Sequence, residues 1–295
     1  MATAPDWSRV GSSLAIHLGQ PVRLSEPLGT SRLTRATRAF EATRLGDLVV
    51  KVRLGDRADE KTRWCATHLP LLIGRGYPAP EVVWHGFVDD QWYAIVQRRL
   101  AGTPLKSIQP PLLDELVTLV ELQADAGIDP GVRDFAGYVA HVLFDGWDNV
   151  WRDAALASAE AAELCERVHR WLQPFWGHQL AGRDFAHNDL NPSNILSDGK
   201  AITGIVDWDE FALNTRATDL VGLAFGCVQP DAVPDDGPTV VFERALRIAG
   251  DGALRCLVAY EIVGTLAAHF RRDELEAADH AVALDNHVLE ILGAT

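Results

Sequence analysis

The first hundred residues alternate apolar and polar positions with the two-residue period that is typical of β-strands. Along residues 47–54, Val50, Val52 and Leu54 fall on one face, whereas Lys51 falls on the other. Because successive side chains of a strand point to opposite faces of a sheet, this segment is predicted to be a strand with one buried face.

The same region predicts a hairpin and a helix. Residues 81–85 and 91–97 are rich in Val, Trp, Tyr and Ile, and residues 86–90 contain Gly and Asp, which favour a turn. Residues 59–73 suit one helix, because two glycines follow shortly after the last apolar positions.

After about residue 100, apolar positions recur three and four residues apart, as on one face of a helix. The change near 100–104 predicts a boundary between a small sheet-rich lobe, residues 1–99, and a larger helical lobe, residues 100–295. The predicted fold class is therefore α+β with two lobes. Helices are predicted over 112–126, 154–172, 239–249, 253–270 and 274–292.

The composition is that of a globular chain with an acidic balance. Of 295 residues, 47% are hydrophobic and 23% are charged, and 27 Lys and Arg against 41 Asp and Glu give a formal net charge of −14. A general nucleic-acid binder is disfavoured, because that class needs clustered positive charge. Small partners that are cationic, or that a metal ion bridges to the protein, are favoured.

The sequence shows no sign of export or membrane insertion. Residues 1–11 contain polar and charged side chains where a signal peptide has its apolar core, and no run approaches the ~18 uninterrupted apolar residues of a spanning helix. The four cysteines are far apart and form no C-x-x-C pair, which disfavours a zinc site and a disulfide framework. We expect a cytoplasmic protein with buried, reduced thiols.

One polar segment interrupts the helical half of the chain. Residues 185–196 contain Asp189 and Asn194 and lead, through an Asp-Gly turn, into an apolar strand that ends at Asp207. Asp-Gly between two apolar runs predicts a β-hairpin. Because the second strand of a hairpin ends beside the start of the first, these three side chains are expected to lie together at the open end of the hairpin. Two carboxylates and an amide carbonyl form a hard-oxygen site that suits Mg²⁺, with phosphate oxygens completing the coordination.

The pattern His187-x-Asp189-x₄-Asn194, followed by an Ile-Val-Asp-Trp run around Asp207, resembles the aminoglycoside phosphotransferase family, a relative of choline kinases and eukaryotic protein kinases. The resemblance implies a protein-kinase-like fold and phosphoryl transfer from ATP or GTP with Mg²⁺. It implies that Asp189 accepts the proton of the acceptor hydroxyl, and that Asn194 and Asp207 hold the metal ion.

The resemblance also implies nucleotide-binding residues. Lys51 resembles the lysine that grips the α- and β-phosphates, and either Glu60 or Asp59 resembles its ion-pair partner. The other positions that it implies are Gln97 and Arg99, in the segment that resembles the hinge, and Ser31, in the loop that closes over the nucleotide.

Two further residues are implied to support the catalytic loop, and a third residue departs from the family pattern. Asp219 resembles the buried carboxylate that braces the loop, and His187 is expected to orient the loop through a hydrogen bond. Asn188 stands where antibiotic kinases most often have Gly and where choline kinases have Asn. This departure leaves the implied catalytic roles unchanged, but it weakens the inference that the acceptor is an antibiotic.

Acidic residues near the motif are candidates for binding the acceptor. Asp209 and Glu210 closely follow the metal-binding position, and Asp145 and Asp148 lie in an acidic, aromatic segment where the family builds its acceptor pocket. Glu261 lies within an apolar helical stretch and is therefore expected to face inward. Carboxylates beside Trp faces favour ammonium groups. The alternative for the other acids is a solvated face that binds nothing.

The first hypothesis is a kinase that phosphorylates a hydroxyl of a small-molecule antibiotic, either an aminoglycoside or a cyclic peptide of the viomycin type. The acidic balance suits a cationic acceptor. The second hypothesis is a metabolite kinase acting on choline, a sugar or an amino acid, and the third is a nucleotide-binding pseudokinase. The presence of Lys51, the base and both metal ligands speaks against the third. No nucleic-acid or membrane partner is expected, and the sequence leaves the acceptor and the oligomeric state open.

Overall fold

The computed structural model of the chain divides into two compact units. The N-unit comprises Met1–Gly102, Leu196–Asp198 and Thr203–Val206, and the C-unit comprises Thr103–Ile195, Gly199–Ile202 and Asp207–Thr295. The residues that the structure describes are 5–30, 36–42, 44–55, 58–108, 110–127, 135–146, 149–227 and 237–294.

The N-unit is built on an antiparallel sheet, and one face of that sheet packs with the first helix to form its core. Its elements are α1 (Trp7–Leu18), β1 (Val22–Thr30), β2 (Ala36–Ala42), β3 (Gly46–Leu54), α2 (Ala58–Gly74), β4 (Val82–Phe87) and β5 (Trp92–Arg98). The strand order is β1-β2-β3-β5-β4. The helix predicted over 59–73 is α2.

Strand β3 shows the predicted alternation. Leu48, Val50 and Val52 are fully buried, and Lys51 on the opposite face is half-buried. Leu54 was expected to share the buried face, but it is the last residue of the strand and is 36% exposed.

The predicted hairpin is confirmed with a shifted turn. Strands β4 and β5 pair antiparallel, and β4 continues through Gly86 and Phe87, which the sequence pattern places in the turn. Asp89 organises the turn instead, because its carboxylate accepts hydrogen bonds from the backbone N–H groups of Gln91 and Trp92, both at 2.8 Å. An aspartate that satisfies backbone donors two and three residues ahead is a common turn former.

The C-unit is mostly helical. Its elements are β6 (Thr103–Pro104), α3 (Pro110–Glu121), α4 (Phe135–Phe144), α5 (Val150–Ala155), α6 (Ala159–Leu172), β7 (Asp184–Ala186), β10 (Ala212–Asn214), α7 (Ala217–Cys227), α8 (Gly237–Ala249), α9 (Asp251–Arg271) and α10 (Leu275–Ile291). Strands β8 (Ile195–Ser197) and β9 (Ile202–Ile205) are divided between the two units. The helices predicted over 239–249, 253–270 and 274–292 are α8, α9 and α10.

Two of the predicted helices differ from the structure. The stretch 154–172 is not one helix: α5 ends at Ala155, and α6 begins after Ser158, whose hydroxyl accepts from the backbone N–H of Ala161 at 3.1 Å. A serine in this position caps a new helix and so separates it from the preceding one. Helix α3 ends at Glu121 and not at 126, because the chain turns there toward β7.

Helix α9 is the central helix of the C-unit and packs against α4, α5, α6, α8 and α10. Within the described residues it is the one helix long and apolar enough to cross a membrane, with a mean hydropathy of 1.3 in its most apolar window. Since 56% of this apolar stretch is buried inside the protein, we interpret α9 as a core helix.

Candidate active site

The catalytic loop is held at its start by a short antiparallel ladder. Strand β7 pairs with β10, with Ala186 opposite Ala212 and Asp184 opposite Asn214. After β7 the chain forms the polar loop, a single 3₁₀ turn at Pro192–Asn194, and then β8. The Asp-Gly turn predicted after β8 is observed, and β8 and β9 are neighbouring strands.

A buried carboxylate braces the loop from behind. Asp219, near the start of α7, is 0% exposed and accepts hydrogen bonds from the backbone N–H groups of His187 at 2.8 Å and Asn188 at 2.7 Å. It also accepts from the side-chain amide of Gln123 at 2.7 Å. The bracing role that the resemblance implies for Asp219 is therefore confirmed by its contacts.

Asn188 adopts a left-handed backbone conformation, with φ of 59°. Asparagine tolerates this region better than other non-glycine residues, which explains why either Gly or Asn suits the position. Its side-chain amide donates to the carbonyl of Glu210 at 3.1 Å, and its side-chain oxygen accepts from Asn214 at 3.1 Å. Asn188 therefore ties the loop to the segment that follows Asp207.

The carboxylate of Asp189 is oriented by two asparagines. Its Oδ1 accepts from the side-chain amide of Asn191 at 2.9 Å, and its Oδ2 accepts from that of Asn194 at 3.0 Å. The Asn194 amide nitrogen also donates to the backbone carbonyl of Asp189 at 2.9 Å. The two carboxylate oxygens are thus held in one orientation by donors from the same short loop.

The pKa of Asp189 is raised above its usual range. Burial is the main cause, and the negative charge of Asp207 adds to it. The charge of His187 and the hydrogen bonds from Asn191 and Asn194 oppose the rise. The charge of Asp207 thus acts on Asp189, while the predicted gathering of Asp189, Asn194 and Asp207 around one metal ion stays a prediction.

Asn194 and Asp207 offer the oxygen ligands that a hard cation prefers. The amide nitrogen of Asn194 is engaged by Asp189, so its carbonyl oxygen is the end of the amide that remains to face a cation. Asp207 has a left-handed backbone, with φ of 65°. Within the described residues, no group of three or more His, Cys, Asp and Glu side chains is arranged to hold a metal ion.

A cavity of about 420 Å³ lies beside the catalytic loop in the C-unit. Two acids of the sequence prediction, Glu210 and Glu261, face it. Burial raises the pKa of Glu261 to about 7, and the charge of Asp189 contributes to the rise. The walls include Phe135, Asn188, Glu210, Tyr260, Glu261 and Arg272.

A second acid, in α10, is also buried. Asp285 is 3% exposed, and among the described residues its Oδ2 has no hydrogen-bond partner. Burial raises the pKa of Asp285 to about 8, and the charge of Glu261 adds to the rise. At neutral pH this carboxyl group is therefore mostly protonated.

We expect the stability of the protein to fall as the pH rises toward 8. The folded state holds the Asp285 proton up to a pKa of about 8, whereas the unfolded chain releases it near pH 4, so stability is lost across that interval. The neutral variant Asp285→Asn should therefore gain in melting temperature relative to wild type between pH 5 and pH 8, by several degrees. Asp279→Asn, an exposed site on the same helix, should show no such gain in calorimetry.

Two other predicted acceptor acids that the structure describes, Asp145 and Asp209, do not line this cavity. Asp209 is 4% exposed and is not one of the residues that line the cavity, so its contact with acceptor stays a prediction. Asp145 is exposed at the end of α4 and binds His141 at 2.6 Å. Asp148 lies outside the described residues. Asp209 and Glu210 are consecutive after Asp207, and of these two only Glu210 lines the cavity.

The predicted partner of Lys51 stays a prediction. Lys51 is half-buried on β3, and Glu60 is exposed on α2. The side chain of Asp59, the alternative partner, lies outside the part of the chain that the structure describes.

The remaining nucleotide-binding predictions concern the end of β5 and the loop after β1. Gln97 is half-buried in β5 and lies opposite Val49 of β3. Arg99 follows the strand, is exposed, and donates its backbone N–H to the carbonyl of Asp47 at 3.1 Å. Ser31 lies outside the described residues.

Three residues that support or adjoin this site were missed from the sequence. Asn191 orients Asp189 and lies within the polar loop, so a closer reading of local hydrogen bonding could have found it. Gln123 and Asp285 are separated by many residues from the loop, and no local pattern distinguishes them from surface polar residues.

Comparison with known proteins agrees with this geometry. Residues 30–249 match the phosphotransferase enzyme family, abbreviated APH. The hygromycin-B 4-O-kinase of Escherichia coli is 24% identical over 199 residues, which are 60% of this chain and 56% of that enzyme. The aligned part of the chain thus spans little more than half the length of this relative.

Two solved structures show the fold. Aminoglycoside phosphotransferase APH(4)-Ia, in a ternary complex with ADP and hygromycin B, superposes with a TM-score of 0.70 at 16% identity and covers 96% of this chain and 98% of its own. Macrolide 2′-phosphotransferase from Brachybacterium faecium superposes with a TM-score of 0.54 at 21% identity, covering 92% and 96%. The predicted protein-kinase-like fold is confirmed.

Proposed function

Since this chain belongs to the phosphotransferase enzyme family, we propose that it transfers the γ-phosphoryl group of ATP, bound with Mg²⁺, to a hydroxyl of a small cationic molecule. The carrying observation is that both carboxylate oxygens of Asp189 are oriented by Asn191 and Asn194, in a loop whose Asn188 lines a cavity together with Glu210 and Glu261. Phosphoryl transfer depends chiefly on positioning and on neutralisation of charge, and these residues can provide both.

Asp189 is the proposed general base. Its orientation is set before the acceptor arrives, because both carboxylate oxygens accept hydrogen bonds from the loop. Burial and the charge of Asp207 raise its pKa, which makes it a better proton acceptor than an exposed aspartate. The acceptor hydroxyl would give its proton to this carboxylate as the oxygen attacks phosphorus.

Asn194 and Asp207 are the proposed metal ligands, and the donor set fits Mg²⁺. One carboxylate and one amide oxygen leave room for phosphate oxygens, which is how this ion is commonly held. When bound, Mg²⁺ neutralises charge on the transferred phosphoryl group. The proposed nucleotide-binding residues follow the resemblance and are Lys51, Glu60, Gln97, Arg99 and Ser31.

The proposed acceptor is an antibiotic that carries ammonium groups, an aminoglycoside or a viomycin-type cyclic peptide. Glu210 and Glu261 face the cavity, and carboxylates in a partly buried site attract cations more strongly than in water. The aromatic rings of Phe135 and Tyr260, packed edge-to-face at 5.5 Å, could cover the apolar part of such a ligand. A metabolite kinase acting on choline, a sugar or an amino acid is the alternative.

The test is turnover with ATP and Mg²⁺ across a panel of acceptors. The panel contains hygromycin B, other aminoglycosides, a viomycin-type peptide, a macrolide, choline, a sugar and an amino acid, and the readout is transfer of labelled phosphate. Turnover of a cationic antibiotic supports the proposal, whereas turnover of only choline, a sugar or an amino acid supports the alternative. Nucleotide binding without any turnover would contradict both and indicate a pseudokinase. Loss of turnover with EDTA tests the metal.

Glu261→Gln is expected to raise KM for a cationic acceptor and to leave KM for ATP unchanged. Because the pKa of Glu261 is about 7, the ionised fraction of the wild-type side chain increases between pH 6 and pH 8. Acceptor binding in the wild type should therefore strengthen as the pH rises from 6 to 8, and the variant should lose this dependence.

The acceptor's own amines titrate equally in both assays, so the difference between the two profiles isolates Glu261. Glu276→Gln, at an exposed position of α10, is the matched control. A parallel rise in KM for both substrates would assign the effect to folding and contradict the role in acceptor binding.

A further inference from the structure

Gln123 lies just beyond the end of α3, in a turn that runs beside the catalytic loop. Its side chain is 0% exposed, which is unusual for glutamine. The side-chain amide donates to Oδ2 of Asp219 at 2.7 Å, across a separation of 96 residues in the sequence. Gln123 is thus a buried polar side chain in direct contact with Asp219, the carboxylate that holds the catalytic loop. A buried polar group is retained in a fold when its hydrogen bonds are satisfied, which directs attention to what this bond does.

The same turn also holds the strand that leads into the loop. The backbone carbonyl of Gln123 accepts from the N–H of Phe185 at 3.3 Å, and the backbone N–H of Asp125 donates to the carboxylate of Asp184 at 2.9 Å. The backbone N–H of Gly127 donates to the carbonyl of Arg183 at 2.9 Å. The main chain of the turn is therefore secured to β7 independently of the Gln123 side chain.

Oδ2 of Asp219 is the atom on which these contacts meet. It accepts both from the side chain of Gln123 and from the backbone N–H of His187, while Oδ1 accepts from the N–H of Asn188. A fully buried carboxylate stays fixed only when its oxygens are satisfied by donors. The Gln123 amide thus limits the rotation of the carboxylate that holds the two residues preceding Asp189.

We propose that Gln123 is a positioning residue for the catalytic base, acting through Asp219 on the backbone of His187 and Asn188 and so on the direction of the Asp189 carboxylate. The inference rests on the proposed function, in which Asp189 is the base. Gln123 itself touches neither nucleotide nor acceptor in this scheme. Its side chain acts on the rate of transfer and not on the binding of either substrate.

The first test is Gln123→Met, which keeps the length of the side chain and the backbone bonds of the turn and removes the amide donor. Because small misplacements of a catalytic group are costly, kcat should fall by about ten- to hundred-fold, with KM for ATP changed by less than about twofold. The assay uses labelled ATP with the best acceptor of the panel, or with water if none is turned over. Gln179→Met, at an exposed glutamine of the C-unit, is the matched control.

The second test is Gln123→Glu, which keeps the shape and makes the donor depend on pH. When protonated, the introduced carboxyl group can donate to Asp219 as the amide does, whereas the ionised form repels it. Burial and the neighbouring charge raise the pKa of such a group. The ratio of the variant's kcat to that of wild type should therefore decline as the pH rises. Gln123→Met, measured over the same pH range, shows whether any pH dependence comes from a group other than the introduced carboxyl.

The outcomes separate this inference from the proposed function. If Asp189→Asn is inactive while both Gln123 variants keep the wild-type kcat at every pH, the positioning role is wrong and the base assignment stands. If Asp189→Asn keeps its activity, the proposed function itself fails. A lowered melting temperature with unchanged kcat would make Gln123 merely structural. Activity of Gln123→Glu that recovers at low pH, where Gln123→Met does not, supports the inference.

Discussion

Replacement of Asp189 by alanine should lower kcat by about two to four orders of magnitude, which is the range that a general base contributes. The affinity for ATP with Mg²⁺ should remain close to that of wild type, because Asp189 is not a proposed ligand of the nucleotide or the metal. The physical reason is the loss of the group that Asn191 and Asn194 orient toward the acceptor hydroxyl. Steady-state kinetics and nucleotide titration measure the two quantities separately.

The wild-type pH profile gives an independent check of the same assignment. A base must be ionised to accept a proton, and the pKa of Asp189 is raised by burial and by the charge of Asp207. Activity should therefore fall on acidification at a higher pH than an exposed aspartate would cause. Asp114→Ala, at an exposed position of α3, should leave both kcat and the profile unchanged. Full activity of Asp189→Ala would remove this residue as the base.

The core of the site could be predicted from the sequence because it is local. Asp189, Asn194 and Asp207 lie within one loop and one hairpin, and the Asp-Gly turn determines where the returning strand ends. The hydrogen bonds between Asp189 and Asn194 span only five residues. Short-range geometry of this kind follows from turn chemistry and strand pairing, without knowledge of how the helices pack.

The parts that could not be predicted depend on tertiary packing. Asp209 and Glu210 are neighbours in the sequence, yet Asp209 is buried and Glu210 faces the cavity. The break between α5 and α6 depends on Ser158 serving as a cap, and periodicity alone does not show it. Helices α4 and α7 are largely apolar around their circumference, so they carry no clear amphipathic signal.

The acceptor cavity could be predicted from the sequence only in part. Glu261 was predicted to face inward because it interrupts an apolar helical stretch, and it does line the cavity. Its pKa is raised chiefly by burial and further by the charge of Asp189, and both depend on how α9 packs in the folded chain. The identity of a candidate acceptor residue could thus be read from the sequence, whereas its protonation state could not.

Asp207→Asn should weaken the binding of ATP in the presence of Mg²⁺ by about tenfold or more, because it removes the one charged ligand that the chain is proposed to offer the metal. Asparagine is the appropriate replacement, since the backbone of Asp207 is left-handed with φ of 65°, a conformation that asparagine accepts and alanine resists. Titration with ATP in the presence and absence of Mg²⁺ measures the effect. The loss should be confined to the metal-containing titration.

The same variant should also change the ionisation of Asp189. Because the charge of Asp207 raises the pKa of Asp189, its removal lowers that pKa, and the acidic limb of the residual activity should move to lower pH. Asp198→Asn, in the exposed turn between β8 and β9, should change neither property. An unaltered affinity together with an unshifted limb would mean that Asp207 neither holds the metal nor faces the base, and would remove the hairpin as the organiser of this site.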